Sequence, residues 1–108
     1  MDEYAHGVYA VCRRFPRDEV FGITSQLRRS SLSVVLNYIE GYARHGDKTL
    51  RHFLNISYGS LQELKYLIEF TLKEGYISAE DFKSLHVLGN EIGAMLWGIL
   101  RNMSSEDS

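Results

Sequence analysis

A chain of 108 residues, of which 44% are hydrophobic and 24% are charged, is long enough for one domain with its own core and too apolar for an intrinsically disordered protein. Its net charge of −2 excludes a strongly basic nucleic-acid-binding protein. Its one cysteine, Cys12, excludes an internal disulfide, so the fold must depend on the core, as in proteins of a reducing compartment.

The sequence carries no membrane or export signal. No apolar run reaches the length of about 18 residues that a membrane-spanning helix needs. Residues 1–6 have neither the basic nor the apolar region of a signal peptide. We therefore expect a cytoplasmic protein without a membrane partner.

The first predicted helix is short. Its apolar residues recur at the spacing of one helix face, and they are Tyr4, Val8, Val11 and Phe15. Pro16 ends this helix, because proline cannot continue a helix and also restricts the residue before it.

The second predicted helix covers residues 18–44. Its apolar stripe starts at Phe21 or Ile23 and continues through Leu27, Val34, Tyr38 and Tyr42. Small side chains lie between these residues, which favours close approach of a neighbouring helix or subunit. Gly46 suits a left-handed position at the C-terminal end of this helix, and Asp47 is the expected cap of the next helix.

The third predicted helix covers residues 48–74 and the fourth ends at residue 103. Both show apolar residues at alternating three- and four-residue spacing, the pattern of left-handed helix packing. Gly75 ends the third helix, and Ser78 with Asp81 resembles a capping box for the fourth. The short corners predict an all-α fold, an antiparallel up-down-up-down four-helix bundle. One domain is expected over residues 1–103, followed by a frayed polar tail at residues 104–108.

The first helix is about half as long as its partners, which leaves apolar surface uncovered on the others. Self-association is the economical way to cover such surface. A homo-oligomer is therefore expected.

No catalytic, metal-binding or cofactor-binding motif is found. A di-iron bundle needs two Glu-x-x-His pairs on separate helices, and only Glu3 and His6 fit that spacing. No arginine is separated from a following histidine by four to six residues, as in helical-bundle ribonucleases. A hydrolase is the least favoured function, since no nucleophile and general base are paired.

Asn37 and Glu40 lie three residues apart on the second helix among apolar residues. If they are buried they need polar partners, because an unpaired carboxylate in a core is costly. We expect a structural polar network, with Arg28, Arg29 or a neighbouring subunit supplying the partner of Glu40.

One distinctive set of residues falls between residues 15 and 76. It comprises Phe15-Pro16, the run from Phe21 to Arg29 (Phe-Gly-Ile-Thr-Ser-Gln-Leu-Arg-Arg), Asn37, Glu40-Gly41-Tyr42, Phe53-Leu54, Gly59-Ser60, Glu63-Leu64 and Gly75-Tyr76. This segment resembles the four-helix-bundle family named after proteins encoded in intervening sequences of bacterial 23S ribosomal RNA genes.

The resemblance implies a subunit of a ring-shaped homopentamer with its assembly contacts on the second and third helices. A related branch, the accessory variability protein of diversity-generating retroelements, is a basic pentamer that associates with reverse transcriptase and nucleic acid. This chain departs from the family in having Val35 where a proline is frequent and in its short first helix. The missing proline predicts a straighter second helix.

These observations favour a non-enzymatic oligomeric scaffold protein that contacts structured RNA or DNA through a basic patch. Phosphate binding needs clustered positive charge, and the candidate residues are Arg28, Arg29, Arg44, Lys48 and Arg51. The alternative is a protein–protein adaptor with no nucleic-acid role.

Overall fold

The computed structural model describes the backbone of residues 1–107 and the side chains of residues 1–103. Four α-helices follow in the order α1 (Asp2–Cys12), α2 (Ile23–Ala43), α3 (Asp47–Lys73) and α4 (Ala79–Asp107), with a 3₁₀ helix at Arg17–Glu19 between α1 and α2. The prediction of an all-α fold with four helices is confirmed.

The neighbouring helices contact one another in antiparallel register. Between α2 and α3, residues 30, 33 and 34 contact residues 63, 60 and 57, so the numbers rise on one helix as they fall on the other. Between α3 and α4, Lys65 meets Asn90 and Tyr58 meets Trp97. Because α1 and α3 each pack against both α2 and α4, the helices follow one another around the bundle in chain order.

The start of α2 differs from the prediction. It begins at Ile23 instead of residue 18, because residues after Pro16 form the separate 3₁₀ helix and Gly22 has a non-helical backbone with φ −104° and ψ −113°. Phe21 consequently lies outside the helix and is 95% exposed, while Ile23 takes the partly buried position.

Gly75 follows the end of α3 as expected, whereas Gly46, with ψ of 140°, is the N-cap of α3 and not the predicted left-handed C-terminal residue of α2. Gly46 and Gly75 have φ of +97° and +78°, values that favour glycine. The prediction that Asp47 caps α3 is wrong, since Gly46 is the N-cap and Asp47 is the first helical residue. Ser78 does cap α4, its Oγ accepting a bond from the Asp81 N–H at 3.0 Å.

The end of α4 also differs from the prediction. The helix continues to Asp107, four residues beyond residue 103, through most of the segment predicted as a frayed tail. Ser108, the last residue of that predicted tail, lies outside the described residues.

The bundle has a four-helix end and a three-helix end. At 1.5 Å per residue, the 11 residues of α1 span about 16 Å and the 27 residues of α3 about 40 Å. Tyr4 and Val8 of α1 are buried against the other helices. The first residues of α1 share a groove with Val35 and Leu36, so α1 does not cover the last turns of α2.

Candidate functional site

The five basic residues predicted to form one patch lie in two groups. Arg28 and Arg29 are near the start of α2, whereas Arg44 follows its end, roughly 24 Å away along the helix axis. Lys48 and Arg51 are in the first turns of α3 and so belong with Arg44. The structure does not bring the five together.

Arg28 lines a groove at the junction of α1, the 3₁₀ helix and α2. Arg13, Arg17 and Arg28 supply its basic side chains, and Cys12 and Thr24 also contribute to its lining. We call this the arginine groove. Arg29 is exposed and does not line this groove.

Two polar atoms at the arginine groove lack hydrogen-bond partners. The Arg28 guanidinium lies over the Tyr9 ring, with its Cζ 5.4 Å from the ring centroid. Its Nε and the Thr24 Oγ1 are buried and have no partner within residues 1–103. The Arg28 Nε–H can only donate and the Thr24 hydroxyl can donate, so an acceptor would satisfy both.

Cys12 is a poor nucleophile in this setting. Burial raises the pKa of its thiol above its ordinary value, and the charge of Arg28 offsets this only in part. The thiol therefore stays protonated near neutral pH. This supports the structural role that its position in the core indicates.

The second basic group, which we call the Arg44 corner, surrounds the turn between α2 and α3 and consists of Arg44, Lys48 and Arg51. The Arg44 Cζ lies 5.1 Å from the centroid of the Phe53 ring, and its Nε is 3.6 Å from the Glu40 Oε2. Lys48 and Arg51 line a shallow groove together with His52 and Asn55. Salt bridges between exposed groups contribute little to stability, so Arg44 remains accessible to another anion.

The predicted Asn37–Glu40 network divides into two separate sets of contacts. The Asn37 Nδ2 donates to the Ser33 O at 2.9 Å and to the Ser33 Oγ at 3.0 Å. The Ser33 Oγ in turn shares a 2.7 Å hydrogen bond with the Ser60 Oγ of α3. Glu40 pairs with Arg44, not with the expected Arg28 or Arg29.

Further hydrogen bonds join α2 and α3. The Ser57 Oγ donates to the Val34 O at 2.6 Å, and the Ser30 Oγ donates to the Glu63 Oε1 at 3.0 Å. Asn37 therefore belongs to a helix-pairing network whose members are mainly serines. The small side chains predicted to allow close approach are part of it.

The face of α2 next to α1 carries an exposed apolar strip, formed by Leu32, Leu36, Ile39 and Tyr42. Leu32 and Leu36 flank a groove shared with α1, and the other two continue that face beyond the start of α1. The prediction that Tyr42 belongs to the buried stripe is wrong, because α1 is too short to cover it.

A second exposed apolar surface lies between α2 and α3. Tyr66 and Phe70, 66% and 41% exposed, line a groove with Ile23 and Gln26. We call this the Tyr66 groove. It is on the side of α2 opposite to the face that contacts α1.

A small pocket between α3 and α4, which we call the Tyr4 pocket, holds several titratable groups, including Tyr4, Lys65, Glu69 and His86. The Lys65 Nζ donates to the Asn90 Oδ1 at 2.8 Å, and Asn90 Nδ2 lies 3.2 Å from the His86 Nε2. No nucleophile is paired with a general base in it, and the hydrogen bonds account for its polar side chains apart from Tyr4 and Glu69.

Within the described residues, no three His, Cys, Asp or Glu side chains lie close enough together to hold a metal ion. None of the helices in that part of the chain combines the length and the apolar composition needed to cross a membrane.

Sequence reasoning missed Arg13, Arg17 and Thr24. The available signal was weak, since Arg13 and Arg17 flank the Phe15-Pro16 corner and Thr24 falls within the run from Phe21 to Arg29. Their meeting at one groove depends on how the chain turns after Pro16.

Comparison with known proteins places these features in context. A family model described as 23S rRNA-intervening sequence protein matches residues 1–98. No curated protein matches the chain.

Among solved structures, the chain is similar to a protein of unknown function from the S23 ribosomal protein family of Bacteroides thetaiotaomicron. The TM-score is 0.84 with 23% sequence identity, and the match covers 92% of this chain and 89% of that chain. At this identity the likeness shows the fold alone.

Proposed function

Because this chain belongs to the 23S rRNA-intervening sequence protein family, we propose that it is the subunit of a homo-oligomeric scaffold and has no enzymatic activity. The observation that carries this proposal is the apolar strip on α2. Its members Leu36, Ile39 and Tyr42 are each more than half exposed. Contiguous apolar surface of this kind marks an interface.

The position of the strip explains why a partner is needed. In the four-helix half of the bundle, α1 covers the adjoining face of α2. Its first residue, Asp2, lines the groove with Leu36, so α1 does not extend as far as Ile39. Full burial of a leucine or isoleucine side chain stabilises by about 1.5–3 kcal/mol. A second subunit that covers the strip gains this free energy for several side chains at once.

Two different apolar surfaces support a ring. In a ring, one surface of each subunit packs against a different surface of the next, and the contact closes on itself by rotation. The strip and the Tyr66 groove lie on opposite sides of α2, so both are available to two different neighbouring subunits. A ring of five is the assembly that the family resemblance implies.

The absence of an enzymatic role is supported by the chemistry of the described grooves. Cys12 is buried with a raised pKa. The Tyr4 pocket offers hydrogen-bonded polar groups without an activated nucleophile. A scaffold needs surfaces rather than such groups.

The mass of the protein in solution tests the proposal. Light scattering on the eluting peak is expected to give a multiple of the 12.4 kDa chain mass. Leu36→Glu and Tyr66→Glu are each expected to lower that mass, because each places a carboxylate in a different half of the same interface.

Val87→Glu is the matched control. Val87 is 48% exposed on α4, away from both apolar surfaces, so the same change there should leave the mass unaltered. Circular dichroism verifies that each variant remains helical. A wild-type mass equal to that of one chain contradicts the scaffold.

A further inference from the structure

We propose that the arginine groove binds a phosphate group carrying two negative charges, as inorganic phosphate and phosphate monoesters do near neutral pH. The groove lies within one subunit, so this inference goes beyond the scaffold function and does not require the assembly. It rests on three arginines that meet from three separate elements and on two buried donors beside them.

The charge of the groove is not balanced by the protein. Arg13 follows α1, Arg17 is in the 3₁₀ helix and Arg28 is in α2. The neighbouring Arg14, which is not part of the groove, is paired with Asp81 at 2.8 Å. None of the three groove arginines forms an ion pair with a carboxylate of residues 1–103. Three neighbouring positive charges repel one another, and a dianion relieves that repulsion.

The nearest acidic residues do not supply the missing charge. Asp18 and Glu19 follow Arg17 in the 3₁₀ helix. The Glu19 Oε1 accepts a hydrogen bond from the Tyr76 hydroxyl at 3.3 Å, and Glu19 lines the Tyr66 groove instead. Asp18 is exposed. The groove therefore keeps a net positive charge.

The two buried donors also favour an anion. Thr24 is 2% exposed, and neither its Oγ1 nor the Arg28 Nε has an acceptor among the described side chains and backbone. Leaving a buried donor without an acceptor is unfavourable. A phosphate offers several acceptor oxygens, and the planar guanidinium of Arg28 matches two of them at once.

The backbone around Thr24 carries a partial positive charge, which favours the binding of an anion. Thr24 belongs to the first turn of α2, and the N-cap residue Gly22 contributes no side-chain bond to the free N–H groups there. The positive end of the helix dipole favours an anion at this position. This feature supports the site but is secondary to the arginines.

The groove also has an apolar side. Phe15, Pro16 and Val20 line it together with the basic residues. Apolar walls exclude water and strengthen charge interactions, and they offer contact area to the organic part of a phosphate monoester. The site thus suits a terminal phosphate on an organic molecule as well as free phosphate.

Calorimetry and thermal unfolding of the wild-type protein test the site with four solutes. Inorganic phosphate and adenosine monophosphate are expected to bind and to raise the unfolding midpoint, as any ligand of the native state does. Adenosine, and potassium chloride at equal ionic strength, should do neither. Equal affinities for the two phosphates assign recognition to the phosphate alone, whereas tighter binding of the monophosphate adds the apolar wall.

Two variants and a control locate the binding. Arg17→Gln and Arg28→Gln should each weaken phosphate binding about tenfold or more, the effect of losing a charge-assisted hydrogen bond. Arg29→Gln removes the same charge from the next residue, which lies outside the groove, and should bind as the wild type does. Arg17 is exposed, so its variant tests the site without disturbing the core.

Three results would overturn the proposal. One is no binding of either phosphate by the wild-type protein. Another is an equal effect of potassium chloride, which would indicate general screening of charge. The last is an equal loss in Arg29→Gln and Arg17→Gln. The solution mass of the wild-type protein is measured separately, so failure of the scaffold and failure of the site are distinguishable.

Discussion

At the residue scale, Tyr4 is a buried side chain that the fold does not satisfy. It is 2% exposed, and its hydroxyl has no hydrogen-bond partner in the described part of the chain. Burial raises the pKa of this phenol well above its ordinary value of 10.0. The ring fits because Gly89 lacks a side chain, since a Cβ there would lie 2.8 Å from the Tyr4 hydroxyl.

Tyr4→Phe is therefore expected to keep or raise the free energy of unfolding, by up to about 1–3 kcal/mol, because it removes a buried polar group without a partner. The comparison is made by chemical denaturation at neutral pH. Tyr66→Phe, which removes an exposed hydroxyl, is the control and should change little. A loss of stability in Tyr4→Phe alone would mean that the hydroxyl makes a bond that stabilises the native state.

The pH dependence of stability provides a second readout on the same variant. The pKa of Tyr4 is higher in the folded state than in the unfolded state. Above pH 10.0 the phenol therefore ionises more readily in the unfolded chain, so the free energy of unfolding falls as the pH rises above that value, whereas below pH 10.0 it is unaffected by this group. Wild-type protein should lose stability more steeply above pH 10.0 than Tyr4→Phe does. Parallel pH profiles would contradict the buried state of the phenol.

At the element scale, the α2–α3 pair is held by small and polar side chains. Ser57 is fully buried where it meets the Val34 carbonyl. Opposite Leu50 and Phe53, α2 has Gly41. The two helices approach closely at this point because glycine adds no side chain between them.

Gly41→Ala is expected to destabilise the protein. The new Cβ would lie 3.1 Å from the Leu50 Cδ1 and 3.2 Å from the Phe53 Cβ, and the latter is too near the backbone to move freely. Overpacking of this kind costs about 1–3 kcal/mol, more than the roughly 0.5–1 kcal/mol that alanine gains over glycine in a helix. Thermal unfolding measures the net change.

Gly98→Ala provides the opposite case. A Cβ at Gly98 on α4 meets nothing within 4 Å, so this variant should gain about 0.5–1 kcal/mol from helix propensity alone. If Gly41→Ala gained as much as Gly98→Ala, the close contact between α2 and α3 would not limit the size of the side chain.

At the scale of the whole molecule, the net charge of the sequence does not reveal that basic side chains are grouped at two places on the surface. The molecule measures 46 × 23 × 19 Å and carries a net charge of −2, yet the Arg44 corner and the arginine groove are both basic. In an oligomer each basic group is repeated by symmetry. Repetition raises the affinity for a polymer that contacts several subunits at once.

Binding of a labelled structured RNA across a series of salt concentrations tests whether the Arg44 corner contacts nucleic acid. Affinity should fall steeply with salt, and the double variant Arg44→Gln/Lys48→Gln should bind more weakly with a salt slope reduced by about two. The control Lys83→Gln/Arg101→Gln removes two exposed charges from α4 and should bind as the wild type does. No binding at low salt would discard the nucleic-acid role and leave the protein–protein adaptor.

The sequence by itself determined the number of helices and the places where the chain turns. Apolar spacing and glycine corners are local properties, and they predicted α3 and the start of α4 closely. They failed at the start of α2, where Gly22 separates the 3₁₀ helix Arg17–Glu19 from α2 within a segment predicted as one helix from residue 18. At this point the apolar spacing favours a continuous helix while the glycine favours a break, and the local sequence does not show which of the two prevails.

Only the tertiary structure decided which surfaces and sites exist. Tyr42 continues the apolar spacing of α2, but it is exposed because α1 is too short to reach it. Arg13, Arg17 and Arg28 meet at one groove because three elements converge there, while Arg28 and Arg44 on the same stretch of sequence lie far apart. Helical spacing tells which residues share a face of one helix, and only packing determines what that face meets.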